Sequence, residues 1–228
     1  EKYEHKYEYC DLLITGSGPS GLASAYAAAQ NGAKVILAED KSRFGGSLLT
    51  SEVTIGNQSG QEWAEKIISE LKSMPNVIVK NRSQVFGYYD HNMLVMSERI
   101  SDHLPKTKKY IPKQRLWYIR AKEVIISSGS IERPLVFGNN DTPGVMLSSA
   151  AKEYLKIYGV LVGKKPLVFT NNDSGYETAI EFKKNGIDPI VLDTRKDPNS
   201  EIIKEAKDLN INIKPSYVVV AAKGYKKV

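Results

Sequence analysis

The chain has one cysteine, three histidines and no apolar run of membrane-spanning length among its 228 residues. A lone cysteine excludes an internal disulfide and the paired-thiol chemistry of disulfide reductases, and it fits a reducing, cytoplasmic setting. Cys10 opens an apolar stretch, which marks it as a small core residue rather than a nucleophile. The histidines show no metal-ligand spacing, so no metal site is expected. Without a long apolar segment or a signal-like start, no membrane association is expected either. Acidic residues are in deficit, 26 against 32 basic ones, for a net charge of +6. The excess gathers at Lys106, Lys108, Lys109 and Lys113, and again at Lys223, Lys226 and Lys227. These lysines read as solvated faces, and no nucleic-acid partner is expected. The chain starts at Glu1 rather than Met, as a fragment of a longer product would.

What is present is a soluble, globular composition, 41% apolar and 25% charged, in a length that suits one large domain or two small ones. Its organising stretch runs from Cys10 to Ser47: strand, glycine-rich turn, helix, strand, acid and a second glycine pair. Leu12, Leu13 and Ile14 form the continuous apolar run of a strand buried on both faces of a parallel sheet. Gly16-Ser17-Gly18-Pro19-Ser20-Gly21 then matches G-x-G-x-x-G. The first glycine permits the tight turn, and the second lets the backbone approach a pyrophosphate. The third lets helix and strand pack closely. A helix over about Ser20 to Asn31 would aim free N–H groups and a positive dipole end at that phosphate. Lys34 to Ala38 makes the second strand, followed by Glu39 and Asp40, eighteen and nineteen residues after Gly21. An acid there accepts hydrogen bonds from a ribose diol and disfavours a 2′-phosphate, which points to NAD or FAD rather than NADP. The glycine pattern alone is weak, whereas strand, turn, helix, strand and acid in this order are strong evidence for a dinucleotide.

Downstream, Trp63, Ile67, Leu71 and Met74 recur at helical spacing within a helix from Gln61 to Met74. Val77 to Val79 is a third parallel strand. Gln84 to Tyr89, Met93 to Met96 and Leu116 to Arg120 read as an antiparallel insert, with a lysine-rich loop from Pro105 to Pro112. Glu123 to Ser127 is the next buried strand. Ser128 and Gly129 follow it, small enough for the backbone to run near a cofactor. After a turn-rich link, Asn139 to Met146, come a helix over Ser148 to Tyr158 and a second βαβ unit. That unit comprises Pro166 to Phe169, a helix near Ser174 to Asn185, and Pro189 to Leu192 with Asp193. Its turn, Thr170 to Gly175, keeps only the third glycine, and Asn172 puts a side chain where pyrophosphate would approach. We read it as a relic that binds no second dinucleotide. Ile202 to Leu209 is a further helix and Tyr217 to Ala222 a last strand. The expected organisation is a lead-in over 1–9, a first dinucleotide-binding domain over 10–145, and a truncated, degenerate second domain over 146–228. The fold class is α/β: a Rossmann-like FAD/NAD(P)-binding fold with an antiparallel β insert.

Two resemblances extend this reading. Phe44-Gly45-Gly46-Ser47, a glycine pair shortly after the ribose acid, resembles the two-dinucleotide flavoprotein superfamily, where the chain crosses close to bound nucleotide there. The runs VFGYYDHN (Val85 to Asn92), RISDHLP, RLWYIRAKEVI, GSIERPLVFGNNDTPGVMLSSAAKEYL and VFTNNDSGYETA resemble the alpha subunit of heterotetrameric sarcosine oxidase. That likeness covers about Cys10 to Asp193. It implies a complex that oxidises sarcosine to glycine with oxygen, giving hydrogen peroxide, and passes the one-carbon unit to tetrahydrofolate. It further implies FAD in a beta subunit, FMN between alpha and beta, small additional subunits, and NAD in this region of alpha. Carried over by motif, Gly16, Gly18 and Gly21 with Ser20 would hold the pyrophosphate. Glu39, Asp40 and Lys41 would sit at the ribose and adenine, Gly46 and Ser47 near the diphosphate, and Val85 against the adenine. Gly129 joins this set as the close-approach residue. The chain ends before the segment that closes the site in that family, and it lacks the folate-binding portion, so activity by this chain alone is not expected.

Two other functions compete. A self-sufficient NADH reductase would hold FAD in the first turn and NADH in the second. A non-catalytic scaffold would dock a flavoprotein partner through Tyr88, Tyr89, Trp117 and Tyr118, which could equally be core or insert-sheet residues. Asp90 and His91 are adjacent on a turn and are read as turn residues, so no catalytic residue is assigned.

Overall fold

The computed structural model describes residues 2–106 and 110–224, and the chain forms two compact units, Glu1–Ser130 and Ile131–Val228. Lys108, Lys109, Lys226 and Lys227 lie outside the described residues. Among the described residues no helix is long and apolar enough to cross a membrane.

In the first unit, β1 (Tyr3–Thr15) leads into α1 (Pro19–Gln30) and β2 (Val35–Ala38). A short 3₁₀ turn, Gly46–Leu49, and a small hairpin of β3 (Thr54–Ile55) and β4 (Gln58–Ser59) precede α2 (Gly60–Ser73). Then follow β5 (Val77–Lys80), β6 (Ser83–Tyr89), β7 (Met93–Arg99) and β8 (Gln114–Ile126). One mixed sheet results, ordered β5-β2-β1-β8-β7-β6, parallel through β8 and antiparallel beyond. All four residues of β2 are buried, as a central parallel strand requires. Ile14, Val35 and Leu37 pack on one face with Leu22 and Ala25 of α1 and Ile67 and Leu71 of α2. Leu13 and Ile36 pack on the other with Leu94, Met96 and Trp117. Cys10 joins this second cluster, and burial pushes its thiol up to about 12, so no thiolate forms near neutrality.

Three expectations change here. Residues 3–9 are no lead-in. They form the first half of β1, paired in parallel with Gln114 to Arg120 of β8. Among the described residues that half has no partner strand on the β2 side, where pairing starts at Leu12, and its composition is polar and tyrosine-rich rather than apolar. Both Asp11 and Leu12 N–H groups donate to the Lys34 carbonyl, at 2.9 and 3.2 Å, a local irregularity at the point where the strand passes from its solvated half to its buried half. Second, Leu116 to Arg120 and Glu123 to Ile126 are one continuous strand, β8, serving both insert and parallel sheet. Third, the compact units divide after Ser130, upstream of the 145/146 boundary. Residues 131–145 are tied to the second unit: Gly138 bridges Ala221, and Glu132 accepts from the Ser148 and Ser149 N–H groups.

Ser59 closes the N-terminus of α2 with a capping box: its hydroxyl accepts from the Glu62 N–H, and the Glu62 carboxylate accepts from the Ser59 N–H at 2.8 Å. Ser59→Ala is expected to cost about 1 kcal/mol, read as a lower urea midpoint at unchanged m-value.

The second unit contains α3 (Ser148–Tyr158), β9 (Leu167–Thr170), α4 (Ser174–Lys184), β10 (Ile190–Asp193), α5 (Glu201–Asp208) and β11 (Asn212–Pro215). Its parallel sheet runs β11-β10-β9, packed on Tyr176, Ala179, Ile180, Ile203 and Ala206. The third strand is Asn212–Pro215 rather than Tyr217 to Ala222. Its polar, largely exposed residues give no apolar run to read, whereas Tyr217 to Val220 are apolar but irregular and largely exposed.

Candidate dinucleotide-binding site

The turn between β1 and α1 is built by close backbone approaches that only glycine permits. Gly16 has φ +98°, and a Cβ there would lie 2.2 Å from the Ser127 carbonyl oxygen at the end of β8. A Cβ on Gly21 would lie 2.0 Å from the Gly16 carbonyl oxygen, so α1 is drawn against the turn. Gly18, the N-cap of α1, differs: nothing lies within 4 Å of its Cβ direction and its φ is an ordinary −66°. Thus the first and third glycines serve packing inside the protein, and the second leaves open space at the helix N-terminus. That open cradle, facing free N–H groups, fits the pyrophosphate of a dinucleotide.

Glu39 follows β2 and is buried behind the turn. Its Oε2 accepts from the Ser17 N–H at 3.0 Å and from the Ser17 hydroxyl at 2.5 Å, and its Oε1 accepts from the Lys41 N–H at 2.9 Å. The second glycine pair closes on the first. Gly45 N–H donates to the Ser17 carbonyl at 3.1 Å and to the Ser17 hydroxyl at 3.2 Å. Gly46, at φ +54°, packs so that a Cβ would lie 2.8 Å from Gly18 Cα. Gly16, Gly18, Gly21, Glu39 and Gly46 therefore form one constellation.

The other expected residues stand around it. Ser20, Asp40, Lys41 and Ser47 are exposed. The Asp40 carbonyl accepts from Arg99 at 2.8 Å, and the Lys41 carbonyl from the Arg82 N–H at 2.9 Å. Val85 lies on β6, which is fastened to the acid by the Ser83 N–H donating to the Glu39 carbonyl at 2.7 Å. Gly129, at φ +70° with no atom near its Cβ direction, follows Ser127, the residue that touches Gly16. Ser17, which the glycine motif leaves unspecified, is a further residue of this constellation. Its signal is a hydroxyl between the first two glycines in a chain where Glu39 follows β2 directly.

Among the proposed docking aromatics, Tyr88 and Tyr89 are about half exposed, but Trp117 is 1% exposed and donates its indole N–H to Glu98 at 2.7 Å. Trp117 is a core residue. Asp90 and His91 lie on the turn between β6 and β7, with His91 at φ +57°.

The corresponding turn of the second unit is filled by its own side chains. Asn172 Oδ1 accepts from the Ser174 N–H at 2.9 Å and the Ser174 hydroxyl at 2.6 Å, at the start of α4. Asp193, fully buried at the end of β10, accepts from the Tyr176 hydroxyl at 2.8 Å and from the Arg195 guanidinium and N–H. Arg195 also pairs with Asp173 in the turn, at 2.8 Å. Burial works against ionisation of Asp193, but Arg195 and Tyr176 outweigh it and hold the carboxyl below the usual range. A depressed folded-state pKa gives stability that is in place above the ordinary value near 4 and is lost as pH falls through the folded value. Asp193→Asn is therefore expected to cost the second unit on the order of 2 kcal/mol at pH 7. It should also shrink the further loss of stability as pH is lowered from 7 to below about 4. Urea denaturation at both pH values reads both effects; an unchanged acid limb would remove Asp193 as its cause.

The fold and the glycine turn place the chain among Rossmann-like FAD/NAD(P)-binding oxidoreductase folds. The family described as FAD dependent oxidoreductase matches residues 11–95, and L-proline dehydrogenase from P. horikoshii superposes with a TM-score of 0.69 at 23% identity, covering 86% of this chain and 38% of that one. Within that class, the chain is a homologue of sarcosine oxidase subunit alpha. It is 43% identical to the Rhizobium meliloti (strain 1021) subunit over 196 residues, 86% of this chain and 20% of that protein. It is 36% identical to the subunit of Corynebacterium sp. (strain P-1), over 85% of this chain and 20% of that one. The chain thus spans about a fifth of the length of these relatives.

Proposed function

We propose that the first unit is the NAD-holding module of a sarcosine oxidase-like alpha subunit, and that the chemistry of the complex takes place on other parts of it. The observation that carries this reading is the open Cβ direction of Gly18 at the N-terminus of α1, flanked by Gly46 and backed by the buried Glu39. In this reading the Gly16–Gly21 turn with Ser20 and Ser47 binds the diphosphate. Glu39, Asp40 and Lys41 meet the ribose and adenine, Val85 contacts the adenine, and Gly129 lets the backbone pass the ligand. When bound, a nicotinamide dinucleotide can carry hydride; the residues here bind and orient it and supply no acid or base. The larger complex would oxidise sarcosine with oxygen, using FAD and FMN, a beta subunit, smaller subunits and tetrahydrofolate, in the cytoplasm. The side chains that fill the second turn, Asn172 and Ser174 among them, support the view that no second dinucleotide binds.

FAD is the second reading, favoured by the FAD-dependent family that matches residues 11–95. Denaturing the purified chain and identifying the released nucleotide by mass spectrometry separates the two. NAD in about equimolar amount, on a colourless protein, is the expected result. FAD alone on a yellow protein would overturn the NAD assignment, and NADH-dependent dye reduction by the chain would favour a self-sufficient reductase.

A further inference from the structure

We infer that Ser17, through its hydroxyl, is the positioning residue that makes the first turn selective for an intact adenosine ribose. This deepens the proposed nucleotide site and rests on that reading. Ser17 is fully buried, although its position in the motif has no fixed residue requirement. Its hydroxyl donates to Glu39 Oε2 at 2.5 Å and accepts from the Gly45 N–H at 3.2 Å. Its own N–H donates to the same Oε2 at 3.0 Å, and its carbonyl accepts from Gly45 N–H at 3.1 Å. One residue thus fastens the ribose acid and the second glycine segment to the turn that faces the phosphates.

The acceptor geometry gives this a consequence. A carboxylate offers roughly four lone-pair sites, two on each oxygen. Ser17 takes both on Oε2, and the Lys41 N–H takes one on Oε1. Among the described residues Glu39 then presents a single remaining acceptor site, on Oε1, and Ser17 holds the other oxygen turned away from it. A fixed, charged acceptor aimed one way recognises a ribose hydroxyl at little ordering cost. An acid free to rotate would lose that advantage. Removing the Ser17 hydroxyl leaves Oε2 with one donor and frees the Gly45 segment on one side.

The test measures binding of ADP and of 2′,3′-dideoxy-ADP to the 228-residue chain by calorimetry, after stripping of any retained nucleotide. For the unaltered chain, ADP is expected to bind roughly tenfold tighter than the dideoxy analogue, the worth of one charge-assisted hydrogen bond. Ser17→Ala is expected to bring that ratio to about two, chiefly by weakening ADP. A purely structural role would weaken both ligands alike and leave the ratio unchanged. Ser17→Cys keeps the volume while weakening the donor, and it should move the ratio the same way if the alanine variant proves too unstable. A wild-type ratio in either folded variant overturns the assignment of Ser17 while the nucleotide site stands. An unaltered chain that binds neither ADP, NAD nor FAD overturns the site reading and this inference with it.

Discussion

Gly18→Val is expected to abolish nucleotide retention while leaving the first unit folded. The backbone there has φ −66° and ψ −179°, which valine adopts without strain, and no atom lies within 4 Å of the new Cβ. The cost to the fold is confined to the helix cap, where glycine is tolerated and valine is poor, about 1 kcal/mol. The cost to binding is much larger. The side chain projects into the space in front of the first N–H groups of α1, where a diphosphate must come within hydrogen-bonding distance. Displacing it forfeits several charge-assisted hydrogen bonds at once, so affinity should fall by at least roughly a hundredfold. Quantifying nucleotide released from the purified variant, beside a thermal melt, checks both halves. A folded variant that still carries stoichiometric nucleotide would move the site away from this turn.

The same glycine shows how far sequence and structure agree. Strand, turn, α1, β2 and acid were legible because each is set by local chemistry: an apolar run, three spaced glycines, a small-residue helix and an acid on the last strand turn. The stripe of Trp63, Ile67 and Leu71 was legible from periodicity for the same reason, and the helix from Ser148 to Tyr158 agrees with its expected bounds. The polar first half of β1 was not, since its pairing with β8 is made across more than a hundred residues of chain and leaves no apolar signature. Nor was β11, whose residues Asn212 to Pro215 owe their strand form to β10 beside them. The attachment of residues 131–145 to the second unit was not legible either, because it runs through scattered long-range contacts, Glu132 with the start of α3 and Gly138 with Val220 and Ala222. Ser17 was passed over because a motif written as G-x-G assigns it no role. Only the fold reveals that Glu39 and the second glycine segment converge on its hydroxyl.

Gly21→Ala, a single added methyl, is expected to destabilise the first unit severely. Its Cβ would lie 2.0 Å from the Gly16 carbonyl oxygen and 3.1 Å from the carbonyl carbon. Those atoms are backbone and cannot rotate aside. Gly16 is itself fixed against Ser127, which is in turn bonded to Thr15 at 2.8 Å. Relief requires lifting α1 from the turn and opening its packing against Ile14 and Val35. The expected loss is about 3 kcal/mol or more, lowering the melting temperature by roughly 10 °C. Gly175 in the second unit supplies the internal comparison. A Cβ there meets the Thr170 side chain, 2.7 Å from its Cβ and from its hydroxyl oxygen, rather than main chain. Thr170 Cβ is held by the main chain and does not move on side-chain rotation, so Gly175→Ala also destabilises, by about 2 kcal/mol, and less than Gly21→Ala because 2.7 Å is a milder overlap than 2.0 Å. Thermal and urea unfolding of both variants measures the difference. Equal costs, or a Gly21→Ala chain melting beside the wild type, would mean that the close approach of α1 to the first turn is not what holds that turn in shape.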